Sequence, residues 1–242
     1  MALQFKLVIL SIIIALLPAC SNIEGKLSNL IVIVDVTTAE SDEIPSVDRI
    51  MADIEKLVDI ESAQNVNNGL VFSVSLFDDI SGSAAAQLVL KPMSGNTAMD
   101  NPVKRKKEVR NYLKELRAMV TSTLASTQLD RAKSKIYNKL CSTLPNFINT
   151  TDENYVIIYS DMLENSELAT FYNPALLQTA AKDPIEFYNQ KLKPSCELPS
   201  LANTEVHLYT AHTKENDMKV SQAEKFWAGV LKNKGAKVKI NP

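Results

Sequence analysis

Residues 30–41 read LIVIVDVTTAES, and this stretch decides the fold. Five apolar residues in a row predict a strand at 30–34 that is buried on both faces, as strands in parallel sheets are. The run ends abruptly at Asp35, and the hydroxyls of Thr37 and Thr38 follow it. A carboxylate and hydroxyls at the end of a buried strand predict a metal or ligand site at the edge of a sheet.

Together with this strand, the remaining apolar patterns of the sequence predict one α/β domain. A second strongly apolar run at 155–159 ends at Ser160 and Asp161. Helical spacing or capping residues predict helices at 46–60, 101–124, 131–147 and from a Ser221/Glu224 capping box to a stop at Gly235. Strands are predicted at 69–79, at 85–93 as its hairpin partner, at 205–211 and at the C-terminus. Alternating strands and helices predict a doubly wound, mostly parallel open sheet with helices on both faces and one antiparallel edge strand.

Bulk composition is that of one globular domain with no general affinity for polyanions. The chain has 242 residues, of which 45% are hydrophobic, and a formal net charge of −2. That length and composition suffice for one sizeable core, and the charge argues against nucleic acid as a partner. The basic run at 104–107 is interpreted as the solvated start of a helix.

The first twenty residues, MALQFKLVILSIIIALLPAC, have the pattern of an export signal. A single early cation, Lys6, precedes a short apolar run that is typical of a signal peptide rather than of a spanning helix. The end of the run resembles a bacterial lipobox, which implies cleavage after residue 19 and a lipidated Cys20. We therefore expect a signal peptide at 1–19, a lipidated N-terminus and tether at 20–28, and a domain at 29–242. The expected location is the bacterial cell envelope, and Ser21 after the cysteine favours the outer membrane.

Two cysteines remain once Cys20 is assigned to the lipid. Cys141 and Cys196 form an even pair in a chain that is predicted to enter an oxidising compartment. A disulfide between them and a pair of buried thiols are both compatible with the sequence.

Both predicted central strands end in carboxylates, Asp35 and Asp161. Ligands of open parallel sheets bind outside the carboxyl ends of the strands, so the two side chains share one edge if their strands are neighbours. Hard oxygen ligands with hydroxyls nearby suit Mg²⁺, which takes one or two carboxylates and keeps several waters.

The sequence resembles the von Willebrand factor A (VWA) family over residues 30–240. The likeness depends on IVIVDVTTAE, on VIIYSDMLENS and on the closing helix–strand unit. The resemblance implies a metal-ion-dependent adhesion site that holds Mg²⁺ or Mn²⁺, with an acidic side chain of a protein partner completing the coordination. Asp35 and Thr37 match the first motif, whose third position is Ala39 where the family has serine. Asp161 matches the aspartate of the later motif.

The middle motif of that family is a single Thr or Ser that opens a helix. Ser134 is the preferred match because it begins an apolar-striped helix shortly before the strand that ends at Asp161; Thr97 and Thr127 are its rivals. The resemblance therefore implies a metal site made of Asp35, Thr37, Ser134 and Asp161. The function that it implies is protein–protein interaction by a lipid-anchored protein without catalysis of its own.

Two alternatives stay open at this point. A phosphatase of the haloacid-dehalogenase type would use Asp35 as its nucleophile, with Asp161 and Glu164 holding Mg²⁺. That family has a second aspartate two residues after the nucleophile, where this chain has Thr37. The other alternative is a structural lipoprotein whose metal site has been lost, for which Ala39 is the suggestive residue.

The remaining chemistry-bearing side chains receive structural interpretations. His207 and His212 are the only histidines, too few for a zinc site with three histidine ligands. His207 is expected to pack against a helix or lie at the surface, and His212 to lie near the carboxyl end of its strand without an assigned role. Phe226 and Trp227 are expected to pack in the core.

Overall fold

The computed structural model describes residues 25–37, 44–62, 65–77, 87–94, 101–126 and 134–241. The predictions that concern Cys20, Ala39, Thr97 and Thr127 lie outside these described residues.

A six-stranded sheet forms the centre of the protein and confirms the predicted fold class. Its strands are β1 (Leu27–Asp35), β2 (Gly69–Phe77), β3 (Gln87–Leu90), β4 (Glu153–Tyr159), β5 (Thr204–Tyr209) and β6 (Lys237–Asn241). They are arranged in the order β3-β2-β1-β4-β5-β6. Only the edge strand β3 is antiparallel to its neighbour, and it is the predicted hairpin partner of β2.

Helices cover both faces of this sheet. They are α1 (Val47–Val58), α2 (Pro102–Ala125), α3 (Ile136–Phe147), α4 (Pro174–Lys182), α5 (Pro184–Phe187) and α6 (Asp217–Asn233). A π-helical turn at Tyr188–Leu192 continues α5. One hydrophobic cluster joins one face of the sheet to α1 and α2, and a second joins the other face to α3, α4, α5 and α6.

The alternation of β1 side chains explains why this strand is apolar throughout. Leu30, Val32 and Val34 belong to the cluster under α1 and α2, whereas Ile31 and Ile33 belong to the other cluster. All five are at most 2% exposed, as expected of a central parallel strand covered on both sides. Burial of this strand between two cores fixes where Asp35 emerges.

Helix ends follow the sequence signals in most places. The Ser46 hydroxyl accepts from the Arg49 amide at 3.2 Å and caps α1. Asn101 caps α2 directly before Pro102. Gly235, with a φ of 100°, ends α6 as predicted, because the left-handed conformation there suits glycine.

Two predicted helix starts are wrong. The helix expected over 131–147 begins only at Ile136, because the carbonyl of Ser134 accepts the Asn165 amide (2.8 Å) instead of joining the helix. The last helix begins at Asp217, so Ser221 lies inside it and caps nothing. A turn in which Thr213 and Asn216 bond each other's backbone amides starts the helix four residues earlier.

The second core is the more aromatic of the two. Phe226 and Trp227 are fully buried in it, which confirms their predicted core packing. Cys141 on α3 and Cys196 form a disulfide with a Cα–Cα distance of 6.3 Å. Of the two states that the sequence allowed, a disulfide or two buried thiols, the structure has the disulfide. No helix in the part of the chain that the structure describes is long and apolar enough to cross a bilayer.

Candidate metal centre

The carboxyl edge of the sheet has a switch point between β1 and β4. From β1 the chain moves to β2 on one side, while β4 pairs on the other side and leads to β5. Ligands of doubly wound sheets bind in the crevice at such a point. Asp35 ends β1 here, and Ser160 directly follows β4.

Three hydroxyls converge on the Asp35 carboxylate, and we call Asp35, Thr37, Ser134 and Ser160 the Asp35 cluster. Oδ1 accepts from the Thr37 amide (2.9 Å) and hydroxyl (2.6 Å). Oδ2 accepts from the hydroxyls of Ser134 (2.7 Å) and Ser160 (2.8 Å). The Thr37 and Ser134 hydroxyl oxygens are also 2.9 Å apart. Side chains from three separate segments of the chain thus surround one carboxylate.

Burial makes this arrangement electrostatically unusual. Asp35 is 3% exposed, and the three hydroxyl residues are at most 9% exposed. A buried carboxylate needs hydrogen-bond donors or a cation, and the donors among the described residues are all uncharged. Each hydroxyl oxygen keeps lone pairs for a further partner while its proton is donated. The cluster therefore combines a negative charge with several oxygen ligands.

Asp161 follows Ser160 at the same edge, but its contacts differ from those of the other three predicted ligands. Its Oδ1 accepts the Leu163 amide at 2.9 Å and so shapes the turn after β4. This turn is held from the core side, where the Trp227 indole N–H donates to the Met162 carbonyl at 2.9 Å. Asp161 is 7% exposed, and its hydrogen bond to the Leu163 amide, unlike those of Ser134 and Ser160, does not involve Asp35.

Ser160 is the cluster member that sequence reasoning missed. The register pairs Val34 with Tyr159, so that the next residues along the two strands are Asp35 and Ser160. A search for carboxylates selects Asp161 instead. The available signal was the hydroxyl directly at the end of an apolar strand, the same signal that selected Thr37 after β1.

Glu164 is a second buried carboxyl group close to this edge. It is 0% exposed; Oε2 accepts the Tyr137 amide at the start of α3 (2.8 Å). Its other oxygen, Oε1, makes no hydrogen bond of normal geometry with any described residue, although the Ser166 hydroxyl is near enough to act on the carboxylate. Burial raises the pKa of Glu164 to about 7; the Ser166 hydroxyl and Tyr137 amide lower it, and the negative charge of Asp35 raises it further.

The residues present fit a hard divalent cation. The donors are carboxylate and hydroxyl oxygens, which are the ligands that Mg²⁺ and Mn²⁺ prefer. Glu164 adds a second buried carboxyl group near this edge; burial is the main cause of its raised pKa, and the charge of Asp35 contributes to it. No described group of three His, Cys, Asp or Glu side chains is close enough to hold a metal, so the hydroxyls would have to supply part of the coordination.

A separate polar group follows β5 on the same edge, and we call Thr210, His212, Asp217 and Glu224 the His212 cluster. His212 contacts Asp217 through Nδ1 (2.7 Å) and Glu224 through Nε2 (2.9 Å), and the Thr210 hydroxyl donates to Glu224. Both ring nitrogens can donate only in the imidazolium form. The hydrogen bond to Glu224 is the largest of the effects that raise the pKa of His212.

The other histidine has a local role. His207 contacts Glu205 through Nε2 at 2.7 Å and the Asn241 side chain through Nδ1 at 3.3 Å. The Asn241 contact joins β5 to β6, so His207 helps to hold the edge strand of the sheet.

The chain matches no protein-family model, and no curated protein matches its sequence. The resemblance to the VWA family therefore stays a prediction from the sequence. The Asp35 cluster carries the functional argument that follows.

Proposed function

We propose that this chain is a lipid-anchored protein of the bacterial envelope whose VWA-like domain binds a protein partner through a Mg²⁺- or Mn²⁺-dependent site. In this proposal Asp35, Thr37 and Ser134 hold the metal, as the sequence predicts. Ser160 joins them, and Asp161 acts beside them. The domain has no catalytic role of its own.

The Asp35 cluster is the observation that carries this proposal. Three hydroxyls from the end of β1, the start of α3 and the end of β4 meet one carboxylate at the switch point of the sheet. Two of the three, Thr37 and Ser134, are residues that the family resemblance selects without reference to the structure. A bound divalent cation would supply a Lewis-acidic position that an acidic side chain of a partner can occupy.

A purely structural role for the cluster is the main alternative. Four donors already surround the Asp35 carboxylate, which would let the cluster serve as a hydrogen-bonded link between β1, β4 and α3. The effect of added metal on stability, tested below, separates this alternative from the metal-binding proposal.

The phosphatase alternative receives less support from the geometry. Its general-acid position is occupied by Thr37, whose amide and hydroxyl both contact Asp35. Its second proposed ligand, Glu164, instead accepts the Tyr137 amide at the start of α3.

Thermal unfolding in the presence of metal tests the proposal. The domain from Ser21 onward is melted in EDTA, Mg²⁺ or Mn²⁺, beside Asp35→Asn and the control Asp48→Asn, whose carboxylate is 82% exposed. Metal at a hundred times its dissociation constant should raise the free energy of unfolding by about 2.7 kcal/mol. For a domain of this size, that corresponds to a rise in Tm of roughly 5 to 10 °C.

The shift should be the same in Asp48→Asn and absent in Asp35→Asn. No shift at millimolar metal would support the structural alternative. A generic phosphomonoester assayed in the same samples separates the phosphatase, since only that alternative predicts turnover.

A further inference from the structure

The N-terminal tether enters the domain at a fixed position on the amino edge of the sheet. The Gly25 amide donates to the Met93 carbonyl (3.2 Å), and the Lys26 carbonyl accepts from the Gly69 amide (2.7 Å). A Cβ on Gly25 would lie 1.9 Å from the Asn67 carbonyl oxygen, so only glycine permits this close approach. The direction in which the chain enters is therefore set by backbone contacts with β2 and the segment after β3.

This entry point limits how far the domain can lie from a membrane. Four residues lie between Cys20 and Gly25, which makes five steps from one Cα to the next; a fully extended chain covers at most about 3.6 Å per step, or about 18 Å here. β1 then runs away from the tether, and its nine residues cover about 26 Å before Asp35. A lipid on Cys20 would thus place the amino edge near the bilayer and the Asp35 cluster at the far end.

The first turns of α2 are fixed to this same amino edge. The buried Arg105 guanidinium donates to the carbonyls of Val66 (2.7 Å), Asn68 (2.6 Å) and Lys91 (2.9 Å). This contact places the basic start of α2 beside the tether, since Asn68 also accepts the Lys26 amide through its side chain.

Exposed cations and an apolar side chain gather where the tether enters. We call this surface the basic patch; it contains Lys26, Lys91, Val103, Lys104, Lys106 and Lys107. Val103 is 78% exposed, and the Lys104 side chain is 75% exposed. Glu108 is the carboxylate that pairs here, with Lys104 and the buried Arg105.

The rest of the amino edge has mixed charge, with acidic side chains at β4 and β5 and the exposed Lys237 at the start of β6. Asp152 and Glu153 precede or begin β4, and Glu205, which pairs with Lys239 and His207, lies at the start of β5. Five exposed lysines thus lie where the tether enters, although the whole chain is slightly acidic.

We propose that the basic patch rests on the anionic headgroups of the phospholipid bilayer that holds the anchor, with Val103 entering the interface and the Asp35 cluster facing away from the membrane. The inference rests on the proposed lipid anchor at Cys20. Lysines held within a few ångströms of an anionic surface are attracted to it, and the attraction falls off within a Debye length. The patch would thereby convert a flexible tether into a defined orientation.

Distance measurements on the mature, full-length lipoprotein in vesicles test this orientation. A fluorophore is placed on Val103→Cys or on Lys214→Cys, and the lipids carry an energy acceptor at the headgroup. With Cys20 lipidated and Cys141 paired with Cys196, the introduced thiol is the single reactive cysteine. Because the two edges lie about 26 Å apart, we expect at least about threefold greater transfer from residue 103 than from residue 214 in vesicles that contain phosphatidylglycerol.

Charge variants separate the patch from the tether. Charge reversal of Lys104, Lys106 and Lys107 to Glu should remove most of the difference in energy transfer between the labels at residues 103 and 214. Vesicles made of phosphatidylcholine alone should have the same effect. As a control, Lys214, Lys219 and Lys225 are changed to Glu in the chain that carries the fluorophore on Val103→Cys. Energy transfer from that fluorophore to the lipids should stay unchanged.

Equal transfer from both labels, or a contrast that neither lipid charge nor the reversal changes, would overturn the proposal. A chain that does not float with the vesicles would overturn the anchor itself. Mn²⁺ binding is measured on the same samples and does not depend on how the domain lies on the membrane. A failure of the proposed metal site is therefore distinguished from a failure of the proposed orientation.

Discussion

Two polar clusters lie on the carboxyl edge of one sheet, and they balance charge in different ways. The His212 cluster contains its own cation, since the imidazole contacts a carboxylate through each ring nitrogen. The Asp35 cluster surrounds its carboxylate with hydroxyls and one amide, and Glu164 nearby adds a second acid with an unpaired oxygen.

This difference shows why one cluster is a candidate cation site and the other is not. Beside His212 an added cation would be repelled by the imidazolium, whereas the described donors to Asp35 are all uncharged groups. The same difference predicts that the two clusters respond differently to mutation and pH.

The largest effect should come from removal of the Asp35 carboxylate. Asp35→Ala leaves three buried hydroxyls and the Thr37 amide without their acceptor, and orphaned donors cost about 1–3 kcal/mol each, so we expect a loss of about 4 kcal/mol. Urea denaturation in EDTA measures the change. Asp48→Ala is the matched control and should change stability by less than about 1 kcal/mol, because its pair with Arg117 is exposed. If Asp35→Ala lost no more stability than Asp48→Ala, the Asp35 cluster would not be a buried hydrogen-bond network.

Glu164 should give a pH dependence of stability. Its pKa in the folded state is about 7, above the ordinary glutamate value of 4.5, so only the folded state holds the proton between these values. Stability should therefore fall by about 3 kcal/mol as pH rises from 4.5 to 7, at 1.36 kcal/mol per unit.

Denaturation curves at several pH values measure this effect. The fall should disappear in Glu164→Gln and persist in Glu167→Gln, whose side chain is 62% exposed. Added Mg²⁺ should also reduce the fall, if a cation lies near enough to Glu164 to favour its charged form. An unchanged pH profile in Glu164→Gln would refute the assignment of this group.

A smaller effect of pH should come from the His212 cluster. The raised pKa of His212 means that its pairing stabilises the fold fully below its unfolded pKa of 6.5 and is lost as pH rises through the folded pKa. His212→Gln should cost about 1 kcal/mol at pH 6, because the imidazole is partly exposed, and almost nothing at pH 9.

NMR titration of the His212 ring gives the same information directly. Glu224→Gln should lower its pKa more than Asp217→Asn does, since the hydrogen bond to Glu224 is the larger cause of the shift. Equal shifts in the two variants would contradict this ranking. Metal should leave the His212 titration unchanged, in contrast to the Glu164 profile.

Much of the fold could be predicted because its central strands are locally unambiguous. The apolar runs of β1 and β4 can only be buried strands, and Ser46, Pro102 and Gly235 mark helix ends by local geometry. The start of α6 was missed because it depends on a side-chain turn between Thr213 and Asn216 that competes with the apparent capping box at Ser221.

The site was predicted only in part because register is a long-range property. Asp35, Thr37 and Ser134 could be selected from residue type and position near predicted strands and helices. Whether Ser160 or Asp161 meets Asp35 depends on how β1 and β4 pair, and no local pattern contains that information. Glu164 was considered as a ligand, but its burial and its contact with α3 follow from packing after β4.

Direct binding of Mn²⁺ tests the central claim that the Asp35 cluster is a metal site for an acidic partner. Electron paramagnetic resonance and water-proton relaxation follow the ion as it is titrated into the domain, into Asp35→Asn and into the control Asp48→Asn. The account predicts one saturable Mn²⁺ per chain, displaced by Mg²⁺, unchanged in the control and lost in Asp35→Asn. It further predicts that a carboxylate such as glutamate displaces water from the bound ion. Absence of saturable binding, or binding that survives in Asp35→Asn, would contradict the account.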